Sequence, residues 1–111
     1  MRWLMLAVLL APELAAAEAP NPQIDRLWRA KCASCHGADG KGQTEQGKKM
    51  QVRDMTTADF QKAPDDKLKA TISDGLKKEE NGVKQEMEGY KAKLQPAQVD
   101  ALTAHIRSLK K

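Results

Sequence analysis

Both cysteines of the chain fall in one run, Lys31-Cys32-Ala33-Ser34-Cys35-His36-Gly37. Two thiols separated by two residues on a helical turn can each add across a vinyl group of a haem, and the histidine that follows is then held beneath the iron as an axial ligand. Three other chemistries compete for the same residues. A thioredoxin-like redox pair sits on a βαβ pattern, and this chain has almost no alternating β-branched run. A zinc site needs two further ligands, and the one other histidine, His105, lies far away on what reads as a helix. A Cys32–Cys35 disulfide closes too small a loop to stabilise much. The spacing favours one haem c bonded through Cys32 and Cys35, with His36 as the proximal iron ligand.

A helix has to deliver that motif. Asn21-Pro22 opens a helical pattern with proline near the first turn, and Ile24, Leu27, Trp28 and Ala30 follow on one broad face. Trp28 lies one turn before Cys32 and reads as core filling. After His36 the run Gly37-Ala38-Asp39-Gly40-Lys41-Gly42 is a glycine-punctuated turn, continued as a loop through Lys49. Its expected task is to offer a carbonyl to the second N–H of the ligating imidazole. It matches neither a Walker pattern nor a dinucleotide fingerprint.

Met50, Val52 and Met55 form an apolar cluster in which the methionines read as soft core filling. Thr56-Thr57 offers a cap for a short helix. Pro64-Asp65-Asp66 opens the next helix, with Leu68 and Ile72 one turn apart and Gly75 as a stop. Lys77 to Glu86, highly charged and containing Asn81-Gly82, reads as a solvated loop leading to Met87-Glu88-Gly89-Tyr90. A last helix starts at Gln95-Pro96, carries Val99, Leu102, Ile106 and Leu109 as a stripe, and places Arg107, Lys110 and Lys111 at its negative end.

With 111 residues there is room for one small domain. Residues 1–17 read as a signal peptide: Arg2, a short apolar run ended by Pro12, and the small residues Ala15-Ala16-Ala17, with cleavage after Ala19 as the alternative. The run is too short to span a hydrocarbon core of about 30 Å. Residues 20–111 are then the haem-carrying domain. Only 4% of the chain is aromatic, so the core would be marginal unaided, and the haem-free chain is expected to be poorly folded. The net charge of +4 survives loss of the leader, because Arg2 and Glu13 cancel.

From about Gln23 to Leu109 the sequence resembles the small single-haem class I cytochromes c of bacteria. The resemblance rests on the helix ending in Cys32-Ala33-Ser34-Cys35-His36-Gly37, the Gly40-Lys41-Gly42 turn, the Pro-Asp-Asp-x-Leu helix closing at Gly75, Met87 with a nearby aromatic, and Leu102-Thr103-Ala104-His105-Ile106-Arg107-Ser108-Leu109. It implies an all-α cytochrome c-like fold of three to five short helices wrapped around one covalently bound haem. It also implies His36 and Met87 as proximal and distal iron ligands. A methionine in a loop before the terminal helix is well placed for that role, with Met50 and Met55 as the alternatives. The chain departs from the family at Glu88, where proline is common after the methionine. It departs again at the terminal-helix crossing, where Ile24 replaces a glycine and His105 an aromatic. His105 reads as a packing residue.

The function expected is that of a soluble periplasmic one-electron carrier and not an enzyme. The alternatives are a haem enzyme or gas sensor with an openable distal site, or a small subunit of a larger oxidoreductase. The expected partners are larger redox proteins docking at the haem edge, steered by lysines such as Lys31, Lys41, Lys84 and Lys91. No nucleic acid, no stable membrane insertion and a monomeric state complete the expectation.

Overall fold

A computed structural model describes residues 21–111, and the signal peptide expected over residues 1–17 lies outside them. The described residues form α1 (Pro22–Lys31), α2 (Ala33–His36), α3 (Glu45–Met50), α4 (Ala58–Gln61), α5 (Asp65–Asp74), β1 (Leu76–Glu80), β2 (Val83–Met87) and α6 (Pro96–Ser108). Among them no helix is long and apolar enough to cross a membrane.

The long helices start where their caps dictate. Asn21 accepts the Gln23 N–H at 3.0 Å ahead of Pro22, and an Asp25–Arg29 pair at 3.0 Å staples the next turn. At α6 the Gln98 side chain accepts the Gln95 N–H at 2.8 Å, with Pro96 next to it. Helix α6 is the spine. Its Val99, Leu102 and Ile106 are buried together with Trp28 of α1, Leu68 and Ile72 of α5, Met55 and Tyr90. Each such side chain removed from water is worth about 1.5–3 kcal/mol. Arg107 does more than face the end of its own helix. It pairs with Asp65 at 2.8 Å and donates to the carbonyls of Gln61 (2.9 Å) and Ala63, locking the turn between α4 and α5 onto α6.

The expectation of three to five helices and no sheet is corrected twice. Residues 45–49, read as loop, belong to the helix α3 because Thr44 caps it, its hydroxyl accepting the Gly47 N–H at 2.9 Å. Lys77 to Glu86, also read as loop, lie in an antiparallel hairpin that runs from Leu76 to Met87. Asn81 and Gly82 both hold positive φ (52° and 77°), as a tight hairpin turn requires. The charged residues pair across the ladder, Lys77 opposite Glu86 and Glu79 opposite Lys84, so opposite charges replace the usual β-branched contacts. At the hairpin's neck the backbone of residues 73–75 packs directly on that of 87–89. A β-carbon on Gly75 would strike the Met87 carbonyl, and one on Gly89 would lie 2.7 Å from the Ser73 carbonyl oxygen.

Candidate functional site

Helix α1 delivers the two thiols. Its last turn ends with Cys32 N–H donating to the Trp28 carbonyl at 2.8 Å, and the Cys32 carbonyl accepts from Cys35 N–H (3.3 Å) and His36 N–H (2.9 Å). The tight turn of α2 therefore sets Cys32, Cys35 and His36 together, all partly buried. The turn is braced from two sides. The Thr44 hydroxyl reaches the carbonyls of Ser34 (2.7 Å) and Cys35 (3.0 Å), and the Trp28 indole N–H donates to the Gly37 carbonyl at 3.0 Å. Trp28 fills the core as expected and adds that hydrogen bond.

Burial sets the electrostatics of these groups. Burial, with a contribution from Cys35, pushes the Cys32 thiol up to about 11. A thioredoxin-like redox pair sits on a βαβ frame, whereas the elements that bear this motif are the helices α1 and α2. The second histidine that a zinc site would draw on, His105, packs on the Trp28 ring instead. Burial pushes the His36 imidazole below its ordinary value. It is thus neutral, the form that ligates a metal. Its Nδ1 is buried without a hydrogen-bond partner, so the orienting carbonyl expected from the loop is not engaged.

A cavity of about 730 Å³ opens beside these groups, bordered by Cys32, Cys35 and His36 and by Met50, Met55 and Met87. It lies within the range of cofactor sites, about 300–1,000 Å³. Apolar side chains including Leu68, Ile72, Leu102 and Ile106 line its floor. Two thiols, an imidazole with an unpaired nitrogen, thioethers and an apolar wall fit a covalently attached haem. Of the three methionines, Met55 is closed into the core at 7% exposure, whereas Met50 and Met87 are half-buried at the border.

Among the lysines singled out in the sequence, Lys31 borders the cavity; Lys41, Lys84 and Lys91 lie elsewhere, and Lys67, Lys78 and Arg53 join Lys31 at the rim. His105 packs on Trp28, ring centroids 4.8 Å apart, so histidine keeps the crossing between α1 and α6 that an aromatic would make. Glu88, in the place of proline, pairs with Lys93 at 3.1 Å. Sequence reading missed two side chains. The Tyr90 hydroxyl donates to the Lys31 carbonyl at 3.1 Å, and the Gln85 amide donates to the Met50 carbonyl at 2.8 Å. Burial pushes the Tyr90 phenol up to about 12, which keeps it a donor. Only a strand reading of residues 83–87 would have signalled Gln85, by placing it on the same face as Met87.

Comparison with known proteins agrees with this geometry. The family model described as "Cytochrome c" matches residues 23–110. The solved structure of the c-type cytochrome KustC0563 superposes with a TM-score of 0.66 at 31% identity, covering 78% of this chain and 96% of that one. No curated protein sequence matches the chain significantly. With a matched span that runs from the first turn of α1 to the residues just past α6, the chain belongs to the cytochrome c family, whose members carry a covalently attached c-type haem for electron transfer, and Cys32 and Cys35 stand in its attachment motif.

Proposed function

We propose that this protein is a soluble periplasmic one-electron carrier whose haem iron is held by His36 and Met87. The observation that carries the reading is the meeting, at one apolar cavity, of the Cys32 and Cys35 thiols, the His36 imidazole and the Met87 thioether. The bound haem supplies an iron that accepts and gives up one electron. The chain's own residues do the rest. Cys32 and Cys35 would tether the group, Thr44 and Trp28 hold the turn that bears them, and the apolar wall would exclude water from it. A histidine and a methionine together raise the potential relative to two imidazoles and leave no open position, which favours electron transfer over activation of a ligand. At the rim Lys31, Lys67, Lys78 and Arg53 outnumber Glu86 and Glu88, a net basic border suited to brief docking with an acidic patch on a larger redox protein.

Carbon monoxide tests the reading. Added to the reduced holoprotein at neutral pH, it should leave the visible spectrum unchanged in the wild type and shift it in Met87→Ala. A shift in the wild type would overturn the closed-site carrier in favour of a haem enzyme or sensor.

A further inference from the structure

Met87 ends β2, and the chain on either side of it is fastened to a different part of the molecule. Downstream the hold is mostly backbone: Tyr90 N–H donates to the Ile72 carbonyl at 2.9 Å and Lys91 N–H to the Ser73 carbonyl at 3.0 Å, with the Tyr90 hydroxyl on Lys31. Upstream, one side chain makes the polar connection. Gln85 Nε2 donates to the carbonyls of Met50 (2.8 Å) and Gln51 (3.1 Å). These close α3, whose last carbonyls have no partner within the helix, and Gln51 is in the left-handed region there (φ 51°, ψ 47°). The amide uses both of its N–H groups to complete another element's end. Along β2, Val83, Gln85 and Met87 are partly buried while Lys84 and Glu86 are exposed, so Gln85 and Met87 share the inward face. β1 is exposed along its whole length, which leaves the docking of the hairpin to this face of β2.

We infer that Gln85 is a positioning residue for the distal ligand: it pins the strand that bears Met87 against the end of α3 and so sets how rarely the sulfur yields its place to an outside ligand. This rests on the reading of Met87 as an iron ligand. Loss of two neutral hydrogen bonds of ordinary net worth raises the population of the detached arm about tenfold to a hundredfold. A ligand that competes with Met87 binds in proportion to that population, so imidazole reads it directly.

Ferric holoprotein is titrated with imidazole while the far-red charge-transfer band of sulfur bonded to ferric iron is followed. Gln85→Leu should keep the band before imidazole is added and should bind imidazole about tenfold to a hundredfold more tightly than wild type. Lys91→Gln, an exposed side chain downstream of Met87, should bind as wild type does. Gln85→Glu, which keeps the shape and turns the donors into acceptors, should tighten binding in the same direction and serves if the leucine variant does not fold. Binding by Gln85→Leu within about twofold of wild type, or equal tightening in Lys91→Gln, overturns the role of Gln85. If the band is absent from the wild type or survives in Met87→Ala, the ligand assignment itself fails and takes the proposal with it. If the band depends on Met87 while the Gln85 variants match wild type, only the proposal for Gln85 falls.

Discussion

Replacing Gly75 with alanine sets a methyl group against backbone that has no room to retreat. It strikes the Met87 carbonyl and lies 2.7 Å from Gly89 N and 2.9 Å from the Glu88 carbonyl carbon. The residue sits at φ 78°, ψ −172°, a region that is nearly glycine's alone and costs another residue about 1–3 kcal/mol. Overpacking adds about 1–3 kcal/mol more. Gly82 separates the two costs, because it too has a positive φ (77°) yet nothing stands within 4 Å of its missing β-carbon. Gly82→Ala should therefore lose only the conformational part, about 1–2 kcal/mol. Urea unfolding of the two ferric holoproteins, followed by circular dichroism, gives the comparison. Gly75→Ala should be the weaker by about a further 1–3 kcal/mol. It should also lose the far-red sulfur band at lower urea than its helical signal, since the displaced atoms belong to the arm bearing Met87. Equal losses at the two glycines would refute the view that backbone contact closes the neck of the hairpin.

Leu102, 1% exposed at the centre of α6, should cost about 2–5 kcal/mol when cut to alanine, read as a lower urea midpoint with an unchanged slope; a loss below about 1 kcal/mol would show that the site collapses to fill itself. Burial holds the His105 imidazole below its ordinary value, against the opposing charge of Asp25. The unfolded chain then takes up the proton first as pH falls, so stability from this residue is complete above about 6.5 and is lost as pH falls toward the folded value. His105→Phe should flatten the decline of the thermal midpoint below about pH 6.5, and an unchanged acid slope would refute it.

The parts of the molecule legible in the sequence are those encoded locally. The Cys-x-x-Cys-His run, the caps at Asn21 and Gln95 and the stripe from Val99 to Ile106 each declare themselves within a few residues, and each stands where it was read. The hairpin was hidden because its strand residues are mostly Lys, Glu and Gln. What makes them strands is the opposition of Lys77 to Glu86 and of Glu79 to Lys84 across an Asn-Gly turn, a relation between residues and not a property of either. Helix α3 was hidden by Gly47 in its middle, with the Thr44 cap as the signal overlooked. Arg107 reads as a cation at a helix end, and its partners Gln61, Ala63 and Asp65 are more than forty residues away. His36 Nδ1 has no carbonyl partner among the described residues. The nearby Gly37 carbonyl already accepts from Gly40 N–H and from the Trp28 indole.

The place of Trp28, one turn ahead of Cys32 and 2% exposed, governs what its fluorescence can report. A thioether at Cys32 leashes a strong energy acceptor to the indole, because four residues stretched to their limit reach only about 14 Å. Denaturant cannot pull donor and acceptor apart, and Trp28 stays dark in the folded and the unfolded holoprotein alike. Its glow marks chains that never received the porphyrin, so emission from this side chain gauges maturation and is blind to conformation.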